Sequence, residues 1–431
     1  MIYNSLNHLS KSETFKEAVL KGIASDKGLY FPSKIKPFTK KIISNLGKLS
    51  IHDIAFESIK QFVGTSIPSN KLKSIIEETL SFDFPLIEIE ENIFSLELFH
   101  GPTLAFKDVG ARFMALCMGF FNENSTEKIT VLVATSGDTG GAVAKGFYNI
   151  PGIDVIILYP KGKVSLVQEK QMTTLGKNIT SLEIEGVFDD CQDMVKKAFI
   201  DPQINKKIRL TSANSINIAR WLPQMFYYFA GYQKVSKHKL PVNFSVPSGN
   251  FGNLCAGLIA QKIGLPVNQF LACTNLNNAV PRYLKSGVYD PKNTIQTISN
   301  AMDVGNPSNF IRVQKVFNND IHKLKKLIKG YSFNDNETKK CIKNIYKKNK
   351  YILDPHGAIG YLGLKKYTEK YPNQIGIFME TAHPCKFAEI VEKTINKKVD
   401  IPRKLNKTLK GEKKSIQISD YTQFKEYLLK S

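Results

Sequence analysis

No uninterrupted apolar run of roughly 18 residues occurs in these 431 residues, so no membrane-spanning helix is expected. The opening Met1-Ile2-Tyr3-Asn4-Ser5 lacks the charged-then-apolar layout of a signal peptide, and a cytoplasmic location is expected. Cysteine is scarce and scattered, at Cys117, Cys191, Cys255, Cys273, Cys341 and Cys385. With no Cys-x-x-Cys pair, this argues against a disulfide framework and a zinc site and for reduced thiols. The seven histidines form no His-x-x-x-His pair, so no metal is expected. P-loop, dinucleotide fingerprint and serine-elbow motifs are missing, as are repeats and low-complexity blocks. Acidic residues are in short supply, 38 against 60 Lys and Arg, for a net charge of +22. The lysines are spread widely and thicken over 323–350 and 397–414, many beside Asn and Ile. That pattern favours solvated lysine faces over a nucleic-acid footprint, and a basic surface also draws in anionic ligands.

What is present reads as a globular chain of about two domains, 42% apolar and 10% aromatic. Residues 1–95 form an entry region. Residues 14–20 have helical spacing with Ser12 as candidate cap, and 51–64 and 70–80 read as amphipathic helices. Residues 85–89 and 93–98 alternate like a strand pair turning at Glu91-Asn92. From Lys128 onward, short apolar runs alternate with helical stretches. Strands are expected at 129–134, 154–159, 179–184, 208–210, 242–246 and 269–274. Helices are expected at 142–148, 164–175, 189–199, 218–232 and 254–263. Strands apolar on both faces alternating with helices predict an α/β fold around buried parallel sheet. Residues from 275 to about 350 look like a helical insertion, a strand at 375–379 returns to the core, and 396–414 reads as a surface extension before a helix at 421–429. The resulting partition is 1–95, 96–395 and 396–431.

Four stretches carry chemistry, each with a plainer alternative. Lys107, in Leu98-Phe99-His100-Gly101-Pro102-Thr103-Leu104-Ala105-Phe106-Lys107-Asp108-Val109-Gly110, has apolar neighbours. An apolar pocket would lower its pKa and make it a nucleophile for a carbonyl, whereas a solvated lysine at a helix start would be inert. Ser248-Gly249-Asn250-Phe251-Gly252-Asn253, between strand and helix, suits either a phosphate or a tight turn. Thr135-Ser136-Gly137-Asp138-Thr139-Gly140-Gly141 is either a cap, by Ser136 or Asp138, or an anion-binding turn. Thr381-Ala382-His383-Pro384 follows a strand, with Thr381 as a possible cap. Each falls just past a strand, where ligands gather in open sheets.

His100-Gly101-Pro102-Thr103-Leu104-Ala105-Phe106-Lys107-Asp108 resembles the cofactor-lysine motif of the threonine synthase family, pyridoxal-phosphate (PLP) enzymes of fold type II. Tyr3-Asn4-Ser5, Lys27 to Pro32, Thr135 to Gly140, Ser212 to Asn217, Val246 to Gly252 and Thr381 to Pro384 resemble that family in its order. The resemblance implies parallel-rich sheets flanked by helices, a small mostly helical N-terminal region and a helical insertion. It implies PLP as an aldimine on Lys107, its phosphate at Ser248, Gly249, Asn250, Phe251 and Gly252, and its pyridine nitrogen at Thr381. Thr135, Ser136, Asp138 and Thr139 would meet the substrate, with Lys163, Asn214 and Arg220 as candidates for the substrate phosphate. The implied reaction converts O-phospho-L-homoserine and water to L-threonine and phosphate, by γ-elimination and then water addition at the β-carbon. A related phospho-lyase releasing a 2-oxo acid is the near alternative, and a non-catalytic nucleic-acid-binding protein the distant one. The expected partner is the small-molecule substrate, with no nucleic acid and no membrane, and the expected state is monomer or homodimer.

Overall fold

The computed structural model describes residues 1–430. The short Val/Ile/Leu runs become strands buried on both faces, as expected for segments too brief and too apolar for an amphipathic helix. One sheet has five parallel strands in the order Ile416–Ile418, Ile179–Ile184, Ile153–Pro160, Ile129–Ala134 and Arg209–Ser212. A second has six, in the order Ile328–Ser332, Gln269–Thr274, Val242–Pro247, Ile375–Glu380, Ile93–Glu97 and Leu86–Glu90. Its neighbours are parallel except the last two, an antiparallel hairpin across the turn expected at Glu91-Asn92. A small antiparallel sheet places Ile2–Ser5 between Glu13–Thr14 and Tyr30–Pro32. The largest apolar cluster runs from Phe15 and Phe62 through Phe113, Trp221 and Phe226 to Phe244, so it ties the N-terminal region to both larger sheets. Among the described residues, no helix is long and apolar enough to cross a membrane.

Several expectations are corrected. The first helix, Phe15–Lys21, is capped by Thr14 and not Ser12, because Thr14 and Glu17 form a capping box. The stretch 218–232 is not one helix. Pro223 cannot donate to the preceding turn, and the chain runs as Ile218–Trp221, a 3-10 turn at Leu222–Gln224, then Met225–Val235. The 275–350 segment is not purely helical, since Ile328–Ser332 forms the edge strand of the six-stranded sheet. The segment 396–414 is more than a surface extension, since Val399 and Leu405 are buried in an apolar cluster, while the expected terminal helix forms at Tyr421–Lys430. Ile416–Ile418 pairs with Leu182–Ile184, and Phe424 and Leu428 are buried against the same sheet.

Candidate active site

The chain enters the site through the turn at residues 101–106. Asp108 locks it by accepting from Thr103 N–H at 2.9 Å and Thr103 Oγ1 at 2.5 Å. Phe106 N–H donates to Thr381 O at 2.8 Å, and Tyr227 Oη donates to Phe106 O. Lys107 then opens the helix Lys107–Asn122 beside the end of the strand Ile375–Glu380. Its amine lies 5.6 Å from the Phe106 ring centroid. Burial strips water from the ammonium, Asp138 opposes that effect, and Arg220 and Lys386 reinforce it, leaving the amine pushed down to about 8.

Asp138 starts the helix Asp138–Phe147 behind the amine. Burial alone would raise its carboxyl, but Lys386 and Lys107 hold it down at about 2. Lys386, fully buried, places Nζ 2.6 Å from Asp138 Oδ1 and donates to Thr103 O at 3.0 Å. Gln168 Nε2 donates to the same Oδ1 at 3.0 Å. Neither Ser136 nor Asp138 caps this helix. Thr135 Oγ1 shapes the turn instead, accepting from Gly137 N–H at 2.9 Å and Gly140 N–H at 2.8 Å. Ser136 and Thr139 line the cavity.

The strand Val242–Pro247 delivers the loop at Ser248. Phe251 takes a left-handed φ of 63°, and the helix Gly252–Lys262 begins there without a side-chain cap. The N–H groups of Gly252 and Asn253 are therefore available to a ligand at the positive end of the helix dipole, while Leu254 N–H donates to Asn253 Oδ1 at 2.9 Å. Gly249 has no room for a side chain, since a Cβ would lie 2.9 Å from Ala301 O and Met302 Cα. The Ser248 hydroxyl is used internally, against Val246 O and Asn253 Oδ1. Asn250 is partly engaged too, its Oδ1 accepting from Ser308 N–H at 3.1 Å.

Arg220 is buried and donates Nη1 to Ala213 O, yet its Nε has no partner among the described residues. Burial pushes its guanidinium down to about 10. A buried guanidinium short of partners is poised for an anion. Asn214 donates Nδ2 to Ala134 O at 2.8 Å. One cavity is lined by Lys107, Ser136, Thr139, Arg220, Thr381 and the loop Gly249–Gly252. Lys163 stands apart, exposed in an adjoining recess with Ser136 and Asp303. It lies ahead of a helix already capped by Ser165, so that helix end does not call for an anion. The structure thus brings the expected residues together except Lys163 and Ser248, whose hydroxyl is turned inward, and it turns the Asp138 carboxylate toward Lys386. Sequence reasoning missed Lys386 and Gln168, and it left Asp354 and His356 without a role. Lys386 follows Thr381-Ala382-His383-Pro384 by two residues, and that closeness was the available signal.

Comparison with known proteins adds three family models in chain order. "Threonine synthase N terminus" matches residues 2–80, "Pyridoxal-phosphate dependent enzyme" 84–378, and "Threonine synthase, C-terminal" 357–428. The threonine synthase of Haemophilus influenzae is 45% identical over 432 residues, covering 100% of both chains. That of Escherichia coli is 42% identical over 407 residues, covering 94% of this chain and 93% of that one. The crystal structure of threonine synthase from Escherichia coli superposes with a TM-score of 0.93 at 39% identity, covering 100% of both chains. PLP-bound threonine synthase from Brucella melitensis gives 0.92 at 33%, covering 99% and 98%.

Proposed function

The chain belongs to the threonine synthase family of pyridoxal-phosphate enzymes of fold type II, and from that premise we infer its reaction and the parts its residues play. It converts O-phospho-L-homoserine and water to L-threonine and phosphate, the last step of threonine biosynthesis. The residues present fit the cofactor: an amine lowered to about 8, an uncapped helix N-terminus over a glycine with no room for a Cβ, and a hydroxyl residue border one cavity. Bound there, pyridoxal phosphate supplies an electron sink for the pair left when the α-proton is removed.

Lys107 would hold the cofactor covalently. Once displaced by the substrate's amine, its own amine takes the α-proton and returns it at the end. The N–H groups of the Gly249–Gly252 loop would hold the cofactor phosphate, with Ser248 and Asn250 fixing the loop's shape. Thr381 offers the ring nitrogen a neutral hydroxyl. Arg220, Asn214 and the hydroxyls of Ser136 and Thr139 hold the substrate's anionic groups, and Thr135 shapes their turn. Lys163 stands outside them as an attracting charge. Asp138 serves by balancing Lys107 and Lys386 and contacts no anion.

The observation that carries this reading is the sharing of one cavity by Lys107, the uncapped helix end and Arg220. It is tested by recording the visible absorbance of the purified protein, then adding O-phosphohomoserine and assaying products. Threonine and phosphate in equal amounts are expected. Phosphate with a 2-oxo acid would mark a lyase, and no band after added cofactor would overturn the assignment. Lys107→Ala should lose the band and nearly all turnover. We propose further that residues 1–95, 96–395 and 396–431 are the chain's functional parts. The enzyme works in the cytoplasm as a monomer or homodimer without a nucleic-acid or membrane partner, which sedimentation and RNA retention at low salt would check.

A further inference from the structure

Beneath the cavity lies a group of buried side chains with no part in the scheme above. Asp354 caps the helix Pro355–Lys370, and its Oδ1 accepts from His356 N–H at 2.7 Å and faces His356 Nδ1 at 2.5 Å. Glu380 ends the strand that leads into Thr381, and its Oε1 accepts from Asp354 N–H at 2.7 Å. All three are buried, Asp354 and Glu380 at 0% exposure and His356 at 2%. The helix gives up a side chain to seat the acid, since a Cβ on Gly357 would overlap Glu380 Oε2. Burial and then the neighbouring Asp354 push the Glu380 carboxyl well above the usual carboxylate range. Asp354 Oδ2 and Glu380 Oε2 have no hydrogen-bond partner among the described residues. Asp354 Oδ1 then fixes the proton of the imidazole on Nδ1. Nε2 is buried without a partner among the described residues while His356 lines the cavity.

The reaction needs an acceptor for the proton of the water that adds. Among the titratable groups lining the cavity, Lys107 serves the carbon acids, Arg220 is a cation, and Asp138 is too weak a base at about 2. Asp303 already accepts from Thr297 N–H and Oγ1 and from Asn275 and Asn277. We propose that His356, oriented by Asp354 and Glu380, is the proton acceptor for the water that adds to the β-carbon. The water's lone pair forms the C–O bond, and its O–H bond breaks toward Nε2. The double-bond pair moves to the α-carbon, which regains its proton from Lys107. Phosphate has by then left the γ-carbon with the electron pair of its C–O bond and taken a proton from solvent, and the imidazolium returns its own proton to solvent. His356 is the reacting group here, and Asp354 and Glu380 are positioning residues.

This inference rests on the synthase reading, and its test separates the two. The cofactor-loaded wild type and the variants His356→Gln, Asp354→Asn and Glu380→Gln are each given O-phosphohomoserine. Phosphate, threonine and 2-oxo acid are measured, with visible absorbance reporting cofactor loading. Wild type yields threonine and phosphate one to one, and failure there overturns the synthase reading itself. His356→Gln keeps releasing phosphate while its threonine output drops about 100-fold and 2-oxo acid replaces it. Asp354→Asn shifts the split the same way, and Glu380→Gln shifts it less, because it acts on His356 only through Asp354. An unchanged split in His356→Gln, or equal loss of phosphate and threonine, overturns the proposal. Should that variant not load cofactor, an unchanged split in Asp354→Asn overturns it.

Discussion

A lysine near pKa 8 has a free lone pair in much of the population at mildly alkaline pH, which an ordinary lysine lacks. Capture of an aldehyde by Lys107 requires that lone pair. Uptake of pyridoxal phosphate by the cofactor-free protein should therefore accelerate as pH rises through about 8 and then level off. Stopped-flow absorbance at a series of pH values measures this, and a rate flat across that range would contradict the lowered amine. The buried Lys386–Asp138 pair makes a second prediction. Lys386→Met strands a carboxylate in the interior and should destabilise the protein by roughly 3–5 kcal/mol. Adding Asp138→Asn should restore part of that loss, as read by urea unfolding of both variants. Lys107 was legible because it sits in a compact local motif. Lys386 and Gln168 were not, because their meaning lies in Asp138, distant in sequence and reached only through the fold.

The loop and helix that follow Val242–Pro247 work as a unit, because the backbone of residues 301–302 presses on Gly249. Gly249→Ala should push that segment away and misalign the N–H groups of the helix end, weakening cofactor binding about 10–100-fold while the fold survives. Equilibrium titration of the cofactor-free variant measures it, and unchanged affinity would mean the loop is a mere connection. The central strands were legible at this scale, since continuous apolar runs of parallel sheet stand out from amphipathic helices. Ile129–Ala134, Ile179–Ile184 and Gln269–Thr274 have the expected bounds. The edge strand Ile328–Ser332 was hidden because it is only partly buried and follows directly on the lysine-rich helix Ile321–Leu327. The helix break at Pro223 was written in the sequence, but continuous apolar periodicity on both sides outweighed it.

Across the whole molecule, the C-terminal residues link distant parts of the site. Lys404 Nζ donates to His100 O at 2.8 Å and Gly101 O at 2.9 Å, holding the turn that leads to Lys107. Lys413 pairs with Glu169 and Glu183 at 2.8 Å each, while Phe424 and Leu428 complete the apolar cover of the five-stranded sheet. Lysine richness concealed this, because a charged run usually marks a solvated tail. These two roles make opposite predictions. Phe424→Ala removes a buried ring at 0% exposure and should cost roughly 3–5 kcal/mol of stability. Turnover measured well below its melting temperature should stay near wild type, because Phe424 touches the sheet and not the turn. Lys404→Met leaves the sheet intact but frees His100 O and Gly101 O, so stability should change by less than about 1 kcal/mol while kcat falls several-fold. Denaturant unfolding and turnover, measured on both variants, decide the matter. If Phe424→Ala lost turnover in proportion to stability and Lys404→Met lost neither, the C-terminal segment would be cover alone and would have no hold on the lysine.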